Sequence, residues 1–181
     1  IYDTFEVHDE YSTDYGNGFL SMVCRRWEAE AMNVDTRKVR LSIVRLGMVL
    51  SKEGGALKKM LLPFKLGIGG KIGDGLQPMP YIHIEDLIRG ITWIIEHDDQ
   101  EGVFNMVAPQ MISNAEFTSA LSAVLNRPAF LIVPEFGLRI LYGEAAGVLT
   151  KGQKVIPHRL PDSGFKFLFP DIRLTLTNLL K

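Results

Sequence analysis

The chain is poor in cysteine, with Cys24 alone among its 181 residues. A single cysteine excludes a disulfide within the chain and is typical of a reducing, intracellular compartment. Long apolar runs are also missing, since none approaches the roughly 20 residues that a membrane-spanning helix needs. The net charge is only −1, so no overall charge draws the chain to nucleic acid or to an anionic membrane. We therefore expect a globular protein whose partner is a small-molecule substrate.

Several catalytic and binding motifs are absent as well. No Gly-x-Ser-x-Gly elbow is present, which argues against a serine hydrolase, and no His or Cys pairs have metal-ligand spacing. The glycine-rich stretch 67–75 lacks the Gly-Lys-Ser/Thr ending of a P-loop. It is not a dinucleotide fingerprint either, because an extended run rather than a helix follows it. We predict that these glycines supply turns with positive φ.

Apolar periodicity predicts helices that alternate with strands. Helices are predicted over 19–32, 56–66, 85–97, 136–149 and 174–180, with a further one opened by the capping box Ser113 to Glu116 and ended at Asn126. Strands are predicted over 39–50, 102–107 and 130–133, and residues 1–18 are predicted to form a loop. Segment 39–50 is rich in Val, Ile and Leu, which is typical of a parallel strand buried on both faces. This alternation predicts an α/β fold.

Three residues of segment 39–50 are candidate cofactor contacts. Arg45 lies within an apolar strand, and a buried guanidinium must pair with backbone carbonyls, with a partner carboxylate or with an anionic ligand. Ligands in parallel sheets bind at the carboxyl ends of the strands, where Gly47 and Val49 lie. Gly47 has no Cβ and suits a close approach, so a purely structural role and a ligand contact both stay open.

Two residues near the start of the predicted helix 85–97 are polar in an apolar context. His83 is interpreted as a hydrogen-bonded structural group, with general base as the alternative, and Asp86 as a helix-start residue that the helix dipole favours. Lysines cluster from Lys52 to Lys71 with Glu53 as the only acidic residue. That segment is either a solvated surface or one that faces an anionic ligand such as a nucleotide phosphate.

An ordered set of motifs covers nearly the whole chain. In chain order these are CRRWEAEA (24–31), VRLGMVL (44–50), GGAL (54–57), MLLPFKLG (60–67), YIHIEDL (81–87), FNMVAP (104–109), NAEF (114–117), GQKVIP (152–157) and GFKF (164–167). The set resembles the "epimerase family protein" group of atypical extended short-chain dehydrogenase/reductases, in its C-terminal portion.

The resemblance implies the C-terminal part of an NAD(P)-binding Rossmann fold over 1–66. Residues 67–181 would form a small α+β substrate domain with interleaved Rossmann elements, including a family domain of unknown function at about 127–171. NADP(H) is the implied cofactor of the full-length protein. The Gly-rich dinucleotide loop of the family would precede Ile1, and Arg45, Gly47 and Val49 would lie at the nicotinamide side.

In the wider extended family, a Tyr and a Lys four residues later carry out hydride chemistry. The resemblance places those positions at about Cys24 and Glu28, and a glutamate cannot replace the cation, so the catalytic residues are unknown. Two hypotheses follow from the resemblance. The protein is an NADP(H)-dependent nucleotide-sugar epimerase or oxidoreductase, or it is a non-catalytic NADP(H)-binding sensor or scaffold.

Overall fold

The computed structural model describes residues 6–13, 16, 18–134, 136 and 152–181. Its strands are β1 (Val7–His8), β2 (Ser42–Leu46), β3 (Met48–Leu50), β4 (Gly70–Ile72), β5 (Tyr81–His83), β6 (Gly102–Met106), β7 (Leu131–Val133) and β8 (Lys154–Val155). Its helices are α1 (Phe19–Ala31), α2 (Gly55–Lys65), α3 (Ile84–Glu96), α4 (Asn114–Leu125), α5 (Arg159–Asp162) and α6 (Ile172–Leu180). The predicted α/β class is confirmed, whereas the predicted helix 136–149 lies outside the described residues except for Phe136.

The named strands form parallel pairs. β1 pairs with β8, β2 with β6, β3 with β5, and β4 with β7. Because β5, α3 and β6 follow one another in sequence, α3 connects the strand partner of β3 to the strand partner of β2. The two halves of segment 42–50 therefore pair with the two strands of one β–α–β unit, β2 with β6 and β3 with β5.

The predicted single strand 39–50 is in fact two strands that change partner at Gly47. The Gly47 N–H donates to the Met106 carbonyl at 3.1 Å, and the next N–H, of Met48, donates to Pro80 at 2.8 Å. The prediction that this segment is buried on both faces was wrong, since Val44 is 37% and Leu46 57% exposed. Within the described ranges β6 alone pairs with β2, so one edge of the strand has no neighbour among them.

Two apolar cores lie on opposite faces of β5. Tyr81 packs into a core built largely from α2, α4 and α6, whereas Ile82 packs into a second core with Phe104 and Leu160. Successive strand side chains point to opposite faces, so one short strand joins both cores. All three residues of β5 are buried, which fixes the position of the α3 N-terminus that follows directly.

Local signals placed most of the helix ends correctly. The capping box at Ser113 and Glu116 is present, and Asn126 ends α4 in the left-handed conformation with φ 51°. The glycine-rich stretch does contain turns with positive φ, at Gly67, Gly73 and Gly75. It also contains β4, which the sequence pattern does not predict, and the pattern does not predict β1, β8 or α5 either. β1 corrects the prediction of an unbroken loop over 1–18.

The apolar spacing of α1 predicted a helix, and the helix is there, but much of that face is exposed. Phe19 is 73% exposed and Trp27 71%. Side chains of this size are seldom left in water by a folded domain unless another surface covers them.

Candidate functional site

Arg45 is held by a carboxylate from α1. Its Nε and Nη2 atoms donate to the two carboxylate oxygens of Glu28 at 2.8 and 2.7 Å. The side chains are 25% and 14% exposed, so this bidentate pair is largely shielded from water. Of the three partners that the sequence left open for Arg45, the structure provides the carboxylate. A cofactor contact by Arg45 remains a prediction.

Gly47 permits a close approach, and in this structure the approaching groups belong to the protein. A Cβ at this position would lie 2.8 Å from Val107 Cγ1 and 2.9 Å from the Pro80 carbonyl oxygen. A residue without a side chain is therefore needed at Gly47, where the chain passes from β2, paired with β6, to β3, paired with β5. Val49 is half-buried in β3 and packs against the second core. Cofactor contacts by Gly47 and Val49 remain predictions.

The two positions that the resemblance assigns to the Tyr/Lys pair lie on α1. Cys24 is exposed, and Glu28 is engaged by Arg45 as described. The carboxylate at the lysine position is therefore part of an ion pair that fixes α1 to β2. Its charge is opposite to that required to lower the pKa of a catalytic tyrosine.

His83 uses both ring nitrogens for structural hydrogen bonds. Its Nδ1 accepts from the Glu85 N–H at 3.0 Å and caps α3, while Nε2 lies 3.0 Å from Asn178 Oδ1 on α6. Because Nδ1 accepts, the ring proton is assigned to Nε2, which donates to Asn178. The ring also stacks on Phe169, with 3.9 Å between centroids. The interpretation of His83 as a hydrogen-bonded structural group agrees with this geometry.

Burial lowers the pKa of His83, while the bond to Asn178 and the charges of Asp86 and Glu85 partly oppose that shift. The folded state therefore favours the neutral ring, whereas the unfolded chain protonates near the ordinary histidine pKa of about 6.5. The contribution of neutral His83 to the free energy of unfolding should be fully present above that pH. It should decrease as the pH falls towards the folded-state pKa. We expect urea unfolding to show less stability at pH 5.5 than at pH 7.5.

His83→Asn is the matched variant for this pH dependence, because asparagine caps helices without titrating. The stability difference between the two pH values should shrink in the variant, since the other histidines are unchanged. An identical difference in both proteins would assign the pH dependence to other groups.

Asp86 does more than begin a helix. Its side chain is 1% exposed, and its two oxygens accept from the Leu168 N–H at 2.9 Å and the Phe169 N–H at 2.8 Å. Arg89, one turn along, donates to the same carboxylate at 3.0 Å. The interpretation of Asp86 as only a helix-start residue is therefore corrected: it fixes the segment before α6 onto the N-terminus of α3. No pattern near Asp86 in the sequence indicates partners that lie more than 80 residues away.

The segment around His83 borders an open cleft of about 330 Å³. Its charged lining comprises Lys52 and Arg89 with Glu53 and Glu85, so the two signs balance. Lys71 lines a different cleft, of about 260 Å³, beside α4. The lysine-rich segment therefore does not converge on one anion site.

Residues that the structure describes hold no cluster of three or more His, Cys, Asp or Glu side chains suited to a metal. None of the described helices is both long and apolar enough to cross a membrane.

Comparison with protein families identifies the C-terminal part of the chain. Residues 133–179 match the model of a domain of unknown function, DUF1731. This match overlaps the domain of unknown function that the resemblance placed at about 127–171. The division of the chain at residue 66 remains a prediction.

Similar proteins cover almost all of this chain. Mouse epimerase family protein SDR39U1 is 43% identical over 174 residues, which is 94% of this chain and 59% of the relative. The crystal structure of human epimerase family protein SDR39U1 (isoform 2) with NADPH has a TM-score of 0.95 at 38% identity, over 99% of this chain and 61% of that one. A nucleoside-diphosphate sugar epimerase from Corynebacterium glutamicum gives 0.75 at 28% identity, over 98% and 35%.

The chain thus spans about three-fifths of the length of the SDR39U1 proteins that it matches. Its α/β architecture is that of the C-terminal portion of a Rossmann-fold short-chain dehydrogenase/reductase, and almost the whole chain is similar to the epimerase family proteins.

Proposed function

We propose that the full-length protein is an NADP(H)-dependent nucleotide-sugar epimerase or oxidoreductase, and that this chain supplies its substrate-side portion. The observation that carries the proposal is the close backbone match to a relative crystallised with NADPH. The more distant match to a nucleoside-diphosphate sugar epimerase supports the substrate class. The reaction would be hydride transfer between NADP(H) and a sugar carbon.

The described residues suit the side of a nicotinamide site rather than its phosphate site. Gly47 follows the carboxyl end of β2 directly and Val49 lies two residues further on in β3. The carboxyl ends of parallel strands are where such a sheet binds its ligands. They would form a wall built from backbone and a small apolar side chain. Arg45 of β2 is bound to Glu28 of α1, so it would tie this wall to α1 rather than bind the pyrophosphate. When bound, NADP(H) would supply the hydride.

The isolated chain should bind NADP(H) weakly or not at all, whereas the full-length protein should bind it. The pyrophosphate of a dinucleotide sits on the first strand–helix turn of a Rossmann fold, which the family resemblance places before Ile1. Losing those contacts should weaken binding by about 100-fold or more, which is about 2.7 kcal/mol. Calorimetric titration of both proteins measures the difference, and micromolar binding by the isolated chain would contradict it.

A non-catalytic NADP(H)-binding sensor or scaffold is the second candidate. It is favoured by one observation: the carboxylate at the expected lysine position is tied to Arg45. A turnover screen of the full-length protein with labelled NADPH and a panel of nucleotide sugars separates the candidates. Transfer of label to any sugar, or a change in the configuration of any sugar, supports the enzyme, because an epimerase returns its hydride to the sugar. Tight binding with neither outcome supports the sensor or scaffold.

A further inference from the structure

Glu10 joins three parts of the fold through one buried carboxylate. The residue is 7% exposed. Its Oε2 accepts from the His158 N–H at 3.0 Å, and its Oε1 accepts from the Asn105 N–H at 3.0 Å and the Arg159 N–H at 3.4 Å. All three donors are backbone groups, so the arrangement depends on the carboxylate rather than on the partner side chains.

The Glu10 carboxylate occupies the edge of β6 that faces away from β2. Asn105 is the register partner of Arg45, and the next residue, Met106, accepts from Gly47 on the β2 side. Since backbone groups of successive strand residues point to opposite edges, the Asn105 N–H points outward, where Glu10 meets it. One edge of β6 thus binds the candidate cofactor segment, and the other binds Glu10.

The same carboxylate fixes the end of segment 152–159. β1 pairs with β8 beside it, and the Asn105 side chain donates to the Ile156 carbonyl at 3.0 Å. Further along, Gly152 lies so close to Pro78 that a Cβ there would overlap the Pro78 carbonyl oxygen. Pro78 is two residues before Pro80, whose carbonyl accepts from Met48 at the strand switch.

We propose that Glu10 is a positioning residue for the Gly47 strand switch, acting through β6 on one side and through segment 152–159 and Pro78 on the other. A carboxylate is required because it only accepts hydrogen bonds, and three donors converge on its two oxygens. A glutamine would turn an NH2 group towards at least one N–H. The cofactor consequence rests on the proposed function, while the structural consequence does not.

The test uses Glu10→Gln in the full-length protein, with Asp86→Asn as the matched control. Both variants remove the charge of a buried carboxylate that accepts from backbone N–H groups, but Asp86 bonds to α3 and to segment 168–169 instead. We expect hydrogen exchange at the Gly47 and Met48 amides to rise about tenfold or more in Glu10→Gln and to stay unchanged in Asp86→Asn. NADP(H) affinity should fall by about tenfold in the first variant alone.

Glu10→Asp provides a folded alternative if the glutamine variant fails to fold, because it keeps the charge and shortens the reach by one methylene. It should show the same changes, in smaller degree. Faster exchange confined to segment 152–162, with Gly47 and Met48 still protected, would overturn the inference. Absence of NADP(H) binding by the wild-type protein would instead refute the proposed function, and the exchange measurement would still decide the role of Glu10.

Discussion

Replacing Asp86 with alanine is expected to lower the free energy of unfolding by about 3–5 kcal/mol, the range for breaking a buried charged pair. The substitution removes the acceptor of the Leu168 and Phe169 N–H groups and leaves Arg89 without this carboxylate. Orphaned buried donors cost more than the bonds themselves contributed. The effect should appear as an earlier midpoint in urea unfolding.

The neighbouring Glu85→Ala is the matched control, because Glu85 is an exposed acidic residue of the same first turn. It should cost only the helix-dipole contribution of about 0.3–1 kcal/mol. Equal decreases in the free energy of unfolding for the two variants would show that Asp86 acts only as a first-turn helix residue.

Asp86→Asn keeps one acceptor oxygen and should recover part of the stability. If that variant were stable but the full-length protein lost cofactor-dependent turnover, residues 81–86 would form an active-site wall.

Replacing Gly70 with alanine is expected to separate β4 from β7 and to cost about 3 kcal/mol, at the upper end of the usual overpacking range. A Cβ on Gly70 would overlap the carbonyl oxygen of Leu131, its register partner. The obstacle is backbone, which cannot rotate away as the tip of a flexible side chain can. The unfolding midpoint and the exchange of the Gly73 N–H, which donates to Val133, both report the loss.

Gly54→Ala is the matched control for Gly70→Ala. Gly54 is the N-cap of α2 with φ −161°, and a Cβ there would meet nothing within 4 Å. It should cost no more than about 1 kcal/mol, the usual loss when alanine replaces a favoured N-cap residue. Equal stability of the two glycine variants would contradict the expectation that a side chain at position 70 separates β4 from β7.

The elements that the sequence predicted well are those coded by neighbouring residues. Helix α4 shows this, since both its capping box and its left-handed end at Asn126 follow from residues inside or next to it. The missed strands β1 and β8 are two residues each and acquire their conformation only by pairing with each other. β4 likewise forms by pairing with β7. The glycines around it predict turns, so the sequence pattern does not indicate a strand there.

The candidate site shows the same division. An arginine within an apolar strand correctly signalled a paired group, but the pattern could not choose among carbonyl, carboxylate and ligand. In the structure the partner is the carboxylate of Glu28, 17 residues earlier on α1, and a ligand contact stays a prediction. Gly47 signalled a close approach, and only the structure shows that Pro80 and Val107 are the groups approaching. The role of Glu10 could not be predicted from the sequence, because it depends on the backbone N–H groups of Asn105 and His158, which are distant along the chain.

The Glu10 contacts also set an order of events during synthesis. The bond to the His158 N–H joins residues 148 positions apart, so it closes one of the longest loops available to this chain. At a translation rate of 5–20 residues per second, Glu10 waits about 7–30 s for that partner to be made. The segment around Glu10 must therefore pass that interval without its final partners, and this edge of β6 stays open until the residues around His158 have been made.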